Sequence, residues 1–238
     1  MLSLQSFYAS PSFQQSSLGS QLRNLVEEFR AQARKEGIPL RSPPDSSAWQ
    51  KIDSLPLPMR QAMLNGFANF YGIYSAAVEE EIGFQESRKV LWRMIARMKL
   101  LCCSDLFNAI DDHDVIEVYD SSLIQIFRNL RFLELCTYSM EEVLAHEWTQ
   151  LFRRPASVDA EILRVSREIL ESRHLSTFKA PFPAYALEET FSDERARFWI
   201  EHGVISPLFD SEHRVVAFVS TLKATPIPAP RSEIAGEA

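Results

Sequence analysis

The C-terminal part of the chain carries the pattern that most narrows what it can fold into. Residues 196–208 and 214–222 read as two strands flanking the turn Asp210-Ser211-Glu212-His213, and neither face is polar. Phe198, Ile200 and Val204 recur on one side, with Trp199 and Ile205 on the other. An antiparallel hairpin with one face in water alternates apolar with polar side chains, whereas one that is apolar on both sides must be covered on both. The small helices just before it can cover one face. The N-terminal helices can cover the other.

Those N-terminal helices are legible from their spacing. From Gln21 to Glu36, Leu22, Leu25, Val26 and Phe29 fall on one stripe, and Gly37 supplies a stop. Residues 38–58 hold five prolines among several serines and read as an irregular connector. Pro58 to Glu81 is a strong helix, apolar around much of its circumference, with Met63, Phe67, Phe70 and Tyr74 recurring at three- and four-residue steps. A second long helix is expected from Phe84 to Ile110, its seam built from Leu91, Met94, Ile95, Met98, Leu101 and Cys102. Ile82-Gly83 would make the two an antiparallel hairpin, with more apolar surface than one partner face hides. The expectation is a homodimer through these helices.

The segment Val115 to Leu222 then reads as a compact α+β unit. Val115–Tyr119 and Leu123–Phe127 are two short strands around Asp120-Ser121-Ser122. Ser139 and Glu142 form a capping box. An amphipathic helix runs from Val158 to Ser172, with Ile162, Val165 and Ile169 on one stripe.

Two passages in this segment carry a family resemblance. NLRFLELCTYSMEEVL, residues 129–144, resembles the strand-to-helix passage N-x-x-F-x-x-x-x-G-Y-S-x-E-E of PAS domains. PLFD at 207–210 with RVVAFV at 214–219 resembles that family's last hairpin, P-L-F-D-x-x-G-x-V-x-G-F. The likeness covers residues 115–222 in the right order. It departs at Thr137, His213 and Ala217, where the family usually has glycine, and in the long irregular stretch Lys179–Glu194. The resemblance implies an α+β fold: a five-stranded antiparallel sheet with flanking helices, here preceded by an α-helical hairpin or bundle. It also implies a cleft between sheet and helices, and a role in sensing or protein interaction.

The expected organisation is a flexible N-terminus with one helix and a Pro-rich connector (1–57), a helical dimerisation region (58–112), the PAS-like domain (115–222) and a disordered tail (223–238). The cleft residues expected to meet a ligand are Phe132, Leu135, Trp148, Phe152, Ile200, His202 and Val204, with Val143 and Ile162 as further candidates. A lined cleft and a core filled by the same side chains have the same composition, so both readings stand. His202 interrupts an apolar strand face, where a backbone partner or a ligand would satisfy it. His174 falls where haem-binding PAS members carry an axial ligand, which leaves haem as one reading of an unknown cofactor. The reactive cysteine of flavin-adduct photoreceptors has Thr149 in its place, which argues against that chemistry.

Other functional classes find no footing. A formal charge of -7 argues against a broad nucleic-acid surface. Cys102, Cys103 and Cys136 have neither disulfide nor zinc spacing, and Asp111-Asp112-His113-Asp114 is a run whose neighbours would not converge on one ion. With seven glycines and no P-loop, G-x-G-x-x-G or G-x-S-x-G, no catalytic motif is present. No stretch is long and apolar enough for a membrane span. The sequence therefore reads as a non-enzymatic, cytoplasmic signal-transduction protein acting through a protein partner. A small-molecule or haem sensor and a structural adaptor with a filled core are the alternatives.

Overall fold

The computed structural model describes residues 17–43, 45–171, 175–192 and 194–228. His174 and the tail beyond residue 228 lie outside them, as do residues 1–16 of the expected flexible N-terminus. Among the described residues the chain forms nine helices and one eight-stranded sheet.

Helix α1 (Leu18–Lys35) begins where the Ser17 hydroxyl accepts the Ser20 N–H at 3.3 Å, satisfying one of the donors a helix start leaves free. It ends at Gly37, whose φ of +82° favours a residue without a side chain. The proline-rich connector contains a short helix, α2 (Ser47–Ser54), that buries Trp49 and Ile52. Helix α3 (Leu57–Glu79) starts with a proline in its first turn, where the missing N–H costs nothing. Phe67, Phe70, Tyr71 and Tyr74 of α3 surround Phe29 of α1 with ring centroids 5.3–5.8 Å apart.

Helix α4 (Ser87–Arg97) is much shorter than its apolar spacing predicts. Lys99 turns to a φ of +56°, and the Leu100 N–H returns to the Ile95 carbonyl at 3.0 Å. The chain then leaves the helix as strand β1 (Leu101–Cys102), followed by α5 (Leu106–Ala109). The predicted helix over 84–110 is thus broken in the middle. Leu101 and Cys102 pair instead with Phe209 and Leu208, and this tertiary hydrogen bonding overrides a helical periodicity worth only tenths of a kilocalorie per residue.

Next come β2 (Val115–Asp120) and β3 (Gln125–Arg128), then α6 (Arg131–Leu135) and α7 (Met140–Ala145). Ser139 and Glu142 close the capping box of α7 from both sides. Helix α8 (Trp148–Leu151) and strand β4 (Phe152–Arg153) lead into α9 (Ala156–Glu171). Strands β5 (Phe178–Lys179), β6 (Tyr185–Glu189), β7 (Arg197–Phe209) and β8 (Val215–Pro226) complete the sheet. The aspartate run before β2 is a turn: the carboxylates of Asp111 and Asp114 accept backbone N–H groups, and Asp112 pairs with Arg88.

The sheet runs β3-β2-β8-β7-β6-β4, antiparallel throughout, with β1 and β5 also paired to β7. It therefore has eight strands where five are expected. Of the three extra strands β4 adds to β6, and β1 and β5 add to β7, whose 13 residues outrun any one partner on its far edge. That edge is taken in turn by β6 at residues 197–200, β5 at 204–205 and β1 at 208–209, which leaves no long row of unpaired groups.

One apolar core runs from α1 to β8 without a break. On β2, Ile116 and Val118 alternate with Glu117 and Tyr119, so one face looks toward the α9 side and the other away. Helix α9 lies over β8, where Val165 and Ile169 meet Ile205 and Phe218. The N-terminal helices are bound into the module by charge as well. Arg30 of α1, 4% exposed, is paired with Glu141 of α7, which is fully buried.

A candidate ligand cleft between the sheet and helix α9

Between the inner sheet face and helices α6 and α9 lies a cavity of about 80 Å³. Six of the seven residues singled out from sequence line it: Phe132, Leu135, Trp148, Phe152, Ile200 and His202. Ile162 of α9 lines it too, whereas Val143 faces a second, open groove between α3 and α6–α8.

Val204 does not reach the cavity, and the register of β7 explains why. His202 pairs with Leu222 and Ile205 with Ser220, so three steps on β7 match two on β8. The extra residue is a bulge at Gly203, and beyond it the alternation reverses, putting Ile205 on the inner wall. A β-carbon at Gly203 would collide with Thr221 Oγ1, which accepts the Val204 N–H at 2.9 Å. Glycine is the residue that lets the two strands close here.

The charged part of the wall is absent from the apolar reading. Glu117, at the centre of the apolar strand VIEVYD, faces inward and is 8% exposed. It sits opposite Arg128 across the β2–β3 hairpin, and Arg128 Nη2 donates to Glu117 Oε1 at 2.6 Å. The Tyr119 hydroxyl donates to Glu117 Oε2 at 2.9 Å and accepts from Gln125 Nε2 at 3.0 Å. Burial alone would raise the Glu117 pKa, but Arg128, the Tyr119 hydroxyl and Arg154 outweigh it and hold the carboxyl below its ordinary value. Glu117 is an anion here. An inward Glu and Arg placed to meet across a short hairpin was the sequence signal that would have found this pair.

Four nitrogens on this wall are left over, Arg154 Nε among them. Arg128 stacks 3.7 Å over the Phe132 ring, and its Nε and Nη1 have no hydrogen-bond partner among the described residues. His202 Nε2 lies 3.1 Å from the Tyr185 hydroxyl, while its Nδ1 is buried without a partner among the described residues. Burial pushes the His202 pKa down to about 4, with Glu117 opposing and Arg154 reinforcing, so the ring is neutral near pH 7. When the Tyr185 hydroxyl donates to Nε2, the ring proton sits on Nδ1; when it accepts, the proton sits on Nε2. Arg154 completes the polar wall, 5.4 Å from the Trp148 ring and 3.3 Å from Asp159.

The cavity is too small for a cofactor of haem or flavin size. Pockets for drug-sized ligands run from about 300 Å³ upward, several times this volume, and a haem or flavin ring system finds no room. Thr149 lies in the open groove, not the cavity. Among the described residues no group of His, Cys, Asp and Glu could hold a metal ion, and no helix is long and apolar enough to cross a membrane. All three cysteines are free thiols.

No family model matches the chain, and no curated protein matches it. Among solved structures it is similar to one described as an RNA-binding Light-Oxygen-Voltage receptor, at 14% identity and a TM-score of 0.32. The match covers 94% of this chain and 66% of that one, so this chain spans just under two thirds of that receptor's length.

Proposed function

We propose that this chain is a non-catalytic sensory module of PAS type, which holds a small molecule between its sheet and α9 and reports occupancy to a protein partner. The observation that carries the reading is the cleft. Apolar side chains wall it while buried N–H groups of Arg128 and the Nδ1 of His202 stand without partners there. A core filled only by its own side chains has little reason to keep such groups, since each costs on the order of 1–3 kcal/mol when unsatisfied. The N-terminal helices are the natural output, because β1, which follows α4, pairs with β7, the strand whose Ile200 and His202 line the cleft. A protein is preferred to a nucleic acid as partner on the net charge of -7.

Native mass spectrometry of protein purified from its own host tests this. A small molecule retained at constant mass supports the sensor. A bare chain with a co-purifying protein supports the adaptor, and turnover of a substrate by the isolated chain overturns both. The homodimer belongs to the same proposal in a narrower form. The α3 seam is covered largely by α1 and α4, which leaves Leu57 and Met59 at its start, with Trp92, Met98 and Leu101, 42–60% exposed, as the apolar surface available in this region. Light scattering on a sizing column tests it, and a monomer at high micromolar concentration refutes it.

A further inference from the structure

The charge balance and size of the cleft narrow what it binds, given the ligand-cleft reading above. Two guanidinium groups, Arg128 and Arg154, stand in its wall with side chains 11% and 7% exposed. Glu117 is the one carboxylate among the lining residues. It is already engaged by Arg128 and Tyr119. Asp159, the partner of Arg154, is 48% exposed, and a water-screened carboxylate offsets a buried cation poorly. The wall therefore lacks one buried negative charge, and a buried cation without a counter-charge is costly.

The unsatisfied groups agree with this. Arg128 Nε and Nη1 are donors and nothing else, and His202 Nδ1 is a donor when Tyr185 donates to the other ring nitrogen. Each of these donors calls for an acceptor, which an anion supplies and an ammonium does not. The remaining wall is hydrocarbon: Phe132, Phe152, Ile162, Phe198 and Ile200. A volume of about 80 Å³ is roughly half the ~150 Å³ of an engineered cavity that takes benzene.

The geometry points to a short-chain aliphatic monocarboxylate, of about three to five carbons, as the ligand class: its carboxylate against Arg128 and His202, its alkyl end among the phenylalanines. A free inorganic anion would leave the apolar wall without a partner, and an uncharged ligand would leave the charge unbalanced.

The test uses the full chain and four probes at constant ionic strength: butyrate, butyramide, butylamine and benzoate. Each is followed by thermal shift and by isothermal titration. Butyrate is expected to raise the melting temperature and bind one to one, butyramide and butylamine to do neither, and benzoate to bind more weakly than butyrate. Arg128→Lys keeps a charge beside Glu117 but loses the spare donors, and is expected to weaken butyrate about tenfold or more. Ile162→Phe fills the cavity without adding charge and is expected to abolish binding while circular dichroism stays native. If butyramide or butylamine binds as tightly as butyrate and Ile162→Phe blocks it, the carboxylate class is wrong and the ligand cleft stands. If butyrate binds equally to Ile162→Phe, its site is elsewhere and the inference fails. If no probe binds, both the inference and the ligand-cleft reading fall.

Discussion

Replacing His202 with Gln separates the titration of this ring from everything else in the cleft. An unfolded histidine titrates near 6.5, and burial pushes the folded ring down to about 4. Between those values the unfolded chain takes up a proton that the folded chain refuses. The stability tied to this group is therefore fully present above 6.5 and drains away as pH falls toward 4. A gap of about 2.5 units corresponds to about 3.4 kcal/mol once complete, of which about 2.5 kcal/mol is lost between about pH 7.5 and about pH 4.5. Gln keeps a polar partner for the Tyr185 hydroxyl but does not titrate. Glu117 and Arg154, the charged groups that act on the ring, are common to both proteins and cancel in the comparison. Urea denaturation at the two pH values gives the stabilities, with the slopes checked for constancy. The native chain is expected to lose about 2.5 kcal/mol more than His202→Gln over that range. Parallel losses, within about 0.5 kcal/mol, would refute the argument that the ring is buried and neutral.

Other expectations follow from features outside the ring. Glu141→Ala leaves the buried Arg30 with only the exposed Glu27 as a partner and is expected to cost about 3 kcal/mol by urea denaturation, while Arg30→Met with Glu141→Leu recovers much of that loss. Gly203→Ala, with its new β-carbon against Thr221 Oγ1, is expected to cost about 1–3 kcal/mol in thermal melts. Adding Thr221→Ala to it costs less than the sum of the two single changes. Burial raises the pKa of all three thiols, and that of Cys136 to about 12, so iodoacetamide at neutral pH is expected to label Cys136 only after denaturant is added. Labelling of Cys136 in the folded chain at the rate of a free thiol would place it elsewhere.

Where the sequence was read correctly, the signal was periodic and local. The stripe in α1, the capping box at Ser139 and Glu142, and the hairpin of β7 and β8 each follow from spacing that neighbouring residues set themselves. The inner wall was legible for the same reason, since Ile200 and His202 share a face by alternation. Val204 was lost because a bulge at Gly203 shifts that alternation by one, and the bulge depends on Thr221 in the facing strand. The break at Lys99 was lost because β7, a hundred residues later, supplies the pairing that draws Leu101 out of the helix. The three additional strands are two residues each, too short to leave a period. Glu117 and Arg128 belong to no period or motif of their own; only across the hairpin does their meaning emerge.

The bulge at Gly203 also divides β7 into two half-strands with different duties. Residues before it furnish most of the strand's share of the cleft wall, through Phe198, Ile200 and His202, with Ile205 just after it, while residues 208–209 carry β1. Because the extra residue takes up the mismatch between them, the two halves need not keep one common phase. Selection can then resculpt the chamber on one side, changing side chains or even strand length, while the docking of the helices on the other side keeps its alignment. The same backbone step lets the cleft wall change without shifting the strand end that pairs with β1.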